Sequence, residues 1–394
     1  MPSRDFTQLL QVYETELLDD VMPWWMDGPA VDREYGGILQ SLADDGTLLG
    51  EDKSMWSQCR ALYTWSALYN LIGQRHEWLD VAGNVFEFLL PIGLSADWYW
   101  PHWVHRDGSV KVGAENIYSD GFAIMGATEF AKATGDERAV EMAVQTYHTV
   151  QERLAVPGSY KCAPLTPPEG AKSHGISMIF ANVFHDLGTF LADVDVLRSA
   201  HEHALQVMDV FRRPDRKLVL ECVAMDGSEL DADVGHYVCP GHAIEAMWFM
   251  LHIFRDRREP NRIEQAVECL RWHMEACWDD EYGGMFNTLD SDGNVPEPGS
   301  GKALWPHTEA LYALLLAYEL TGEYWCLDWY DRVHEWSFAH FPVREYGEWR
   351  SGVQRDGSAS PEPETPSPNR VKDPFHLPRA LMLCIDVLQR LAAP

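Results

Sequence analysis

His242 and Glu245 stand three residues apart in YVCPGHAIEAMWFM (residues 237–250), just after Pro240-Gly241 and before an apolar run. That spacing puts an imidazole and a carboxylate on one face of a helix, at its positive end. The dipole there lowers the imidazole pKa and favours the neutral form that acts as a base. His376 in DPFHLPRA repeats the arrangement, at a helix start with proline on both sides and Arg379 one turn on. His307 and Glu309 in WPHTEA follow Trp305, whose indole offers a stacking surface to a sugar. Arg60 with Lys53 and Gln58, Tyr118 with Asp120, and His174 with Asn182 complete the series. Any one of these, taken alone, reads more simply as a capped helix with a satisfied core histidine. A polar or titratable group at the start of each of six apolar helices points instead to a pocket, because such groups are costly in a core unless paired.

Several chemistries are argued against. No His/Asp/Glu trio has metal-ligand spacing, and the H-x-x-E-H pattern fails at Ala246. The sequence contains no G-x-S-x-G, no P-loop and no G-x-G-x-x-G. Its eight cysteines form no CxxC or CxxxH, and several lie in apolar runs, as buried free thiols do. Two histidines expected to be neutral, without a metal set, suggest proton transfer.

The elements that must position these residues are helices of two kinds. RDFTQLLQVYETELLDDVM, RAVEMAVQTYHTVQERL and RIEQAVECLRWHMEACW carry apolar residues at helical spacing, as surface helices do. MWSQCRALYTWSALYNLIG, SDGFAIMGATEFAKATG, SMIFANVFHDLGTFLADV, PGHAIEAMWFMLHIF, WPHTEALYALLLAYELTG and FHLPRALMLCIDVLQRL are apolar on nearly all sides and predict inner helices. Their marker residues Trp56, Asp120, Met178, His242, His307 and His376 are 64, 58, 64, 65 and 69 residues apart. This is a repeat of six helix pairs. The first and last inner helices are as apolar as the others, so a closed ring fits better than an open solenoid. The predicted fold is all-α, an (α/α)6 barrel forming one domain over residues 1–394. REYGGILQSLADDG (33–46) is echoed by DEYGGMFNTLDSDG (280–293) and REYGEWRSGVQRDG (344–357). Each predicts a β-hairpin, and together they brace one rim. Three long Pro/Ser/Gly-rich loops, 156–173, 294–303 and 351–374, are candidates for lids or binding loops.

Bulk properties narrow the partners. The chain has 394 residues, 46% of them hydrophobic, with 16 Trp, enough for a large core and an aromatic-lined cleft. A formal charge of −30 argues against duplex nucleic acid and anionic membranes. The amphipathic, acidic N-terminal stretch has neither a basic n-region nor a continuous apolar core, so a cytoplasmic protein is expected.

CPGHAIEAMWFM, LWPHTEALYALLLAY, EYGEW, FHLPRALMLC, KSMWSQCR and YSDGFA, in that company and with suitable gaps, resemble the N-acylglucosamine 2-epimerase family over nearly the whole chain. The resemblance implies an (α/α)6 barrel, in agreement with the period. It implies a sugar isomerase working at C2 through ring opening, proton abstraction and an enediol-like intermediate. His242 and His376 match the two proton-transferring histidines, Arg60 the arginine that binds open-chain oxygens, and Glu245 its partner glutamate. The patterns are closer to the N-acetylglucosamine branch than to the cellobiose or mannose branches. N-acetylglucosamine and N-acetylmannosamine are therefore the implied pair, with no cofactor required, a nucleotide such as ATP at most an effector, and a homodimer. Cys239 stands where these epimerases carry Asn, His236 where Arg is common, and Ser177 where Pro is expected, departures that bear on the N-acyl preference. Three rivals stay open: an isomerase or epimerase acting on mannose or glucose, a glycoside hydrolase using Glu245 and Glu309, and a catalytically idle binding barrel.

Overall fold

The computed structural model describes residues 5–156, 158–162, 166–231, 233–295, 301–360 and 371–393. Residues 163–165, 296–300 and 361–370, the middles of the three expected loops, lie outside the described residues. The chain alternates between two rings of helices. An outer segment made of α1 (Phe6–Thr15), a π-helical turn (Glu16–Val21) and α2 (Met22–Asp27) precedes the first inner helix, α3 (Met55–Ala67). The outer helices α4 (His76–Ser95), α6 (Glu137–Leu154), α8 (Val194–Gln206), α10 (Pro260–Cys277) and α12 (Tyr324–His340) then alternate with inner ones. These inner helices are α5 (Tyr118–Thr134), α7 (His174–Leu191), α9 (Pro240–Arg257), α11 (Leu304–Thr321) and α13 (His376–Ala392). Consecutive inner helices pack side by side, α13 closes on α3, and α1 lies against α13. This is an (α/α)6 barrel.

The residue pattern explains which ring each helix joins. In α11 every residue from Pro306 to Ala317 is buried, and in α5 every residue from Tyr118 to Ala131, as helices packed on all sides require. In α6 the buried set is Ala139, Met142, Ala143, Thr146, Thr149, Val150 and Arg153, a single stripe at intervals of three and four. Asp136 and Asp193 cap α6 and α8 by accepting backbone N–H groups of the first turn. All eight cysteines are buried and unpaired by disulfides. Among the described residues, no helix is long and apolar enough to cross a membrane.

Short strands mark the rim at which the inner helices begin. Lys53–Ser54, Ala171–Ser173, Tyr237–Val238 and Lys302–Ala303 lead into α3, α7, α9 and α11. Each pairs with a strand that follows the next outer helix: Trp103–Val104, Cys222–Ala224, Leu289–Asp290 and Gly352–Val353. The three echoed segments are all on this rim, each opened by a bridge across its Tyr-Gly turn: Val31 to Ile38, Trp278 to Met285 and Pro342 to Trp349. They differ from simple hairpins in one respect. The strands of the second and third pair outward with the strand entering an inner helix, so they tie neighbouring helix pairs together.

Candidate active site

Because the inner helices all start at one rim, their first turns converge. His242 lies in the first turn of α9, Glu245 one turn further, Trp305 and Glu309 in the first turns of α11, and His376 and Arg379 in those of α13. The Trp305 ring packs beside both histidines, its centroid 5.6 Å from that of His242 and 5.5 Å from that of His376. Gly241 makes this possible: a Cβ there would lie 2.4 Å from Trp305 Cη2. Both imidazoles keep a small opening to solvent, with His242 12% and His376 13% exposed.

Each imidazole is tied through Nδ1 to a buried carboxylate. His376 Nδ1 is 2.7 Å from Glu309 Oε1, and His242 Nδ1 is 3.1 Å from Glu221 Oε1. Glu309 Oε2 accepts a hydrogen bond from Trp248 Nε1 at 2.9 Å. Arg379 Nη2 donates to Glu309 Oε1 at 2.7 Å and to Glu245 Oε1 at 2.5 Å, and its guanidinium lies 4.0 Å from the Phe375 ring centroid. Glu221 also faces His174 Nδ1 at 3.7 Å. Burial pushes the Glu221 carboxyl up, but His242 and His174 more than reverse this and hold it at about 2.

The two histidines are driven apart electrostatically. Burial draws His242 down, yet the Glu221 charge and hydrogen bond outweigh it, so its pKa is raised. The helix start predicts the opposite sign, and it loses to a full charge in direct contact. His376 is lowered to about 3 by burial and by the Arg60 guanidinium. Its carboxylate partner is already shared with Arg379, which leaves His376 neutral.

Arg60 enters from α3 between the rings of Phe122 and Phe375, 4.1 and 4.8 Å from its guanidinium. Its Nη1 donates to Asp373 Oδ2 at 2.5 Å, while its Nε is buried and has no hydrogen-bond partner among the described residues. Asp373 Oδ2 is also 3.9 Å from His376 Nε2. Tyr118 packs against Trp56 beside this group, and burial raises its hydroxyl pKa well above the usual tyrosine value.

Five expected site residues sit elsewhere. Asp120 accepts from the Trp100 N–H at 3.0 Å and pairs with Arg153, bracing α5 against α6. His307 is wholly buried with both ring nitrogens engaged, Nδ1 with the Ala303 carbonyl at 2.8 Å and Nε2 with the Met285 N–H at 2.8 Å. Burial lowers its pKa to about 3, so it is a neutral rim brace and not a sugar contact. Lys53 and Gln58 serve the same rim. Asn182 lines a cavity at the opposite end of the barrel. Two residues of the cluster escape sequence reasoning: Glu221, a carboxylate inside the apolar run LVLECVA, and Asp373, at the end of the proline-rich loop. Donor atoms of His174, Glu221 and His242 lie within 4.8 Å of one another, as do those of Glu245, Glu309 and His376. The first trio has ligand types suited to a divalent metal. In the second, Arg379 already balances the carboxylates.

The site is a ring of helix starts holding two carboxylate-anchored histidines and an arginine, and the relatives of this barrel are epimerases, enzymes of the carbohydrate isomerase class. The chain belongs to the N-acylglucosamine 2-epimerase (GlcNAc 2-epimerase) family, whose sequence profile matches residues 36–378. It is 31% identical over 389 residues to N-acylglucosamine 2-epimerase of Bos taurus, covering 95% of this chain and 90% of that one. The cellobiose 2-epimerase structure from Spirochaeta thermophila superposes with a TM-score of 0.81 at 21% identity, over 98% of both chains. A D-mannose isomerase structure superposes with a TM-score of 0.79 at 17% identity, over 99% of this chain and 100% of that one. These structural likenesses share the fold.

Proposed function

We propose that the protein interconverts N-acetylglucosamine and N-acetylmannosamine by moving the C2 proton of the ring-opened sugar between two faces. One observation carries the reading: His242 and His376 lie at nearly equal distances from the Trp305 ring, each anchored by a buried carboxylate, with their pKa values moved in opposite directions. A 2-epimerase needs one neutral base to take the proton and one protonated acid to return it on the other face. In one direction His376 takes the C2 proton and His242 delivers its own. In the reverse direction the roles exchange. Between them an enediolate carries negative charge next to the C1 oxygen. Arg60 supplies a guanidinium with an unused buried Nε there, and the six converging helix N-termini add positive potential.

The N-acyl substrate pair rests on the names of the mammalian relatives and on the matched family. A hydrolase is disfavoured because Glu245 and Glu309, the carboxylates it would need, converge on one nitrogen of Arg379. The same reading makes a small sugar the partner, with homodimeric assembly, a cytoplasmic location and a nucleotide at most as effector, by analogy with the family.

The test is proton NMR in deuterated water with N-acetylmannosamine and, separately, mannose. N-Acetylglucosamine carrying deuterium at C2 is expected. Fructose from mannose with no reaction of the N-acyl sugar would replace this reading by an aldose–ketose isomerase. Absence of C2 exchange in both would end it.

A further inference from the structure

The barrel has a second opening, at the far ends of the inner helices, lined by the later halves of α5, α7 and α9. The cavity there measures about 320 Å3, at the lower end of the range for small-molecule sites, roughly 300–1,000 Å3. Several polar side chains that open into this cavity have no hydrogen-bond partner among the described residues, so only water or a bound molecule can meet them. Asn182 is only 7% exposed, and its amide makes no hydrogen bond among the described residues. Asp186, one turn further along the same face of α7, accepts none either. Its neighbour Lys132 donates to Glu129 at 2.9 Å. The Tyr63 hydroxyl on α3 is likewise without a hydrogen bond among the described residues. Arg379 lines the cavity too: its Nη2 holds the two catalytic-end carboxylates, while its Nε is buried without a partner.

We infer that this cavity is a second binding site, for a neutral, hydroxyl-rich molecule of monosaccharide size. An anion would meet Glu129, Asp186 and the negative ends of the inner helices. A cation would meet Lys132 and Arg379. A hydroxyl can donate to Asp186 and either donate to or accept from Asn182 and Tyr63. Trp248 supplies the apolar wall on which a sugar ring rests. The occupant touches the guanidinium that anchors Glu309, and through it His376, so the two mouths of the barrel share one residue.

The test uses 1,5-anhydroglucitol, a hexose lacking the anomeric hydroxyl, which cannot open and is not turned over. Calorimetric titrations compare the intact protein with Asp186→Leu, Leu71→Trp and His242→Asn. Leu71 is 45% exposed at the cavity edge, so a larger side chain plugs the mouth without disturbing the core. The expected result is unchanged affinity in His242→Asn and a loss of about tenfold or more in both cavity variants. Retained affinity in both cavity variants, or no measurable heat with any protein, would overturn the inference. Neither outcome bears on C2 exchange, which is read separately with N-acetylmannosamine.

Discussion

Gln58 and His307 do the same job in the two halves of the barrel. Each lies five residues after a buried lysine, Lys53 or Lys302, and each accepts the backbone N–H that follows a Gly-Gly pair, of Ile38 or Met285, at 2.8 Å. The glycines cannot be replaced easily, since all four have positive φ between 72° and 83°. His307→Gln should therefore keep stability within about 1 kcal/mol, because the amide oxygen can take over the ring nitrogen's role. His307→Ala leaves a buried N–H unsatisfied and should cost about 1–3 kcal/mol. Chemical denaturation of both variants decides between this role and a sugar-binding one, which would instead raise KM in His307→Gln at full stability.

The same rim carries matching charge clamps whose pH dependence has a definite sign. Asp279 accepts from Lys302 Nζ at 3.0 Å and from Arg355 Nε at 2.9 Å, just as Asp32 accepts from Lys53 and Arg106. Burial pushes the Asp279 carboxyl up, but Arg355 and Lys302 reverse this and hold it at about 2. Burial also draws Lys302 down, so the pair gains less than its distances suggest. A carboxyl depressed in the folded state stabilises at pH above its unfolded value near 4, and that stabilisation fades as pH falls toward about 2. Its size is on the order of 2 kcal/mol. Asp279→Asn should lower stability at pH 7 and flatten the loss between roughly pH 4 and 2. An unaltered acid-unfolding profile would show that the clamp carries no net stability.

The sequence made the ring legible because all-round apolarity and a repeat near 64 residues both follow from packing an inner helix on every side. It placed His242, His376, Arg60 and Glu245 near helix starts, and these converge because every inner helix begins at one rim. It could not separate site residues from braces on the same helices. His307 and Asp120 satisfy the same spacing rule as His242, yet one faces the Gly-Gly turn and the other Arg153. Glu221 was hidden because it comes from the bend between the short strands Leu218–Val219 and Cys222–Ala224, and its partnership with His242 is a contact between segments. Its charge also sets the sign of the His242 shift, which the helix dipole alone misjudges.

Gly241 ties the Pro-Gly-His sequence to the geometry of the cleft. Gly241→Ala would place a methyl against the Trp305 indole at 2.4 to 2.9 Å, and an indole packed beside two histidines has little room to retreat. Overpacking of this kind costs about 1–3 kcal/mol. Because Trp305 spaces the two imidazoles, the larger effect should fall on activity, with kcat/KM for N-acetylmannosamine reduced by about 10²-fold. A variant that is destabilised but retains kcat/KM would show that Trp305 is packing and does not set the spacing.

Glu221 is the residue whose removal separates positioning from simple structure. Glu221→Gln keeps the shape and a hydrogen-bond acceptor for His242 Nδ1 but removes the charge that raises the His242 pKa. Burial then prevails, so the imidazolium is lost at lower pH than in the parent enzyme. The alkaline limb of the kcat/KM profile should move to lower pH, while KM changes little because Glu221 sits behind the imidazole. At pH 7 the drop in turnover is expected to be about 10- to 100-fold, less than for His242→Asn, which removes the acid itself and should lose about 10²–10⁴-fold. A uniform fall in activity with an unmoved pH profile would mean that Glu221 only holds its own segment in place. A shifted limb at unchanged thermal stability would identify it as the group that keeps His242 protonated.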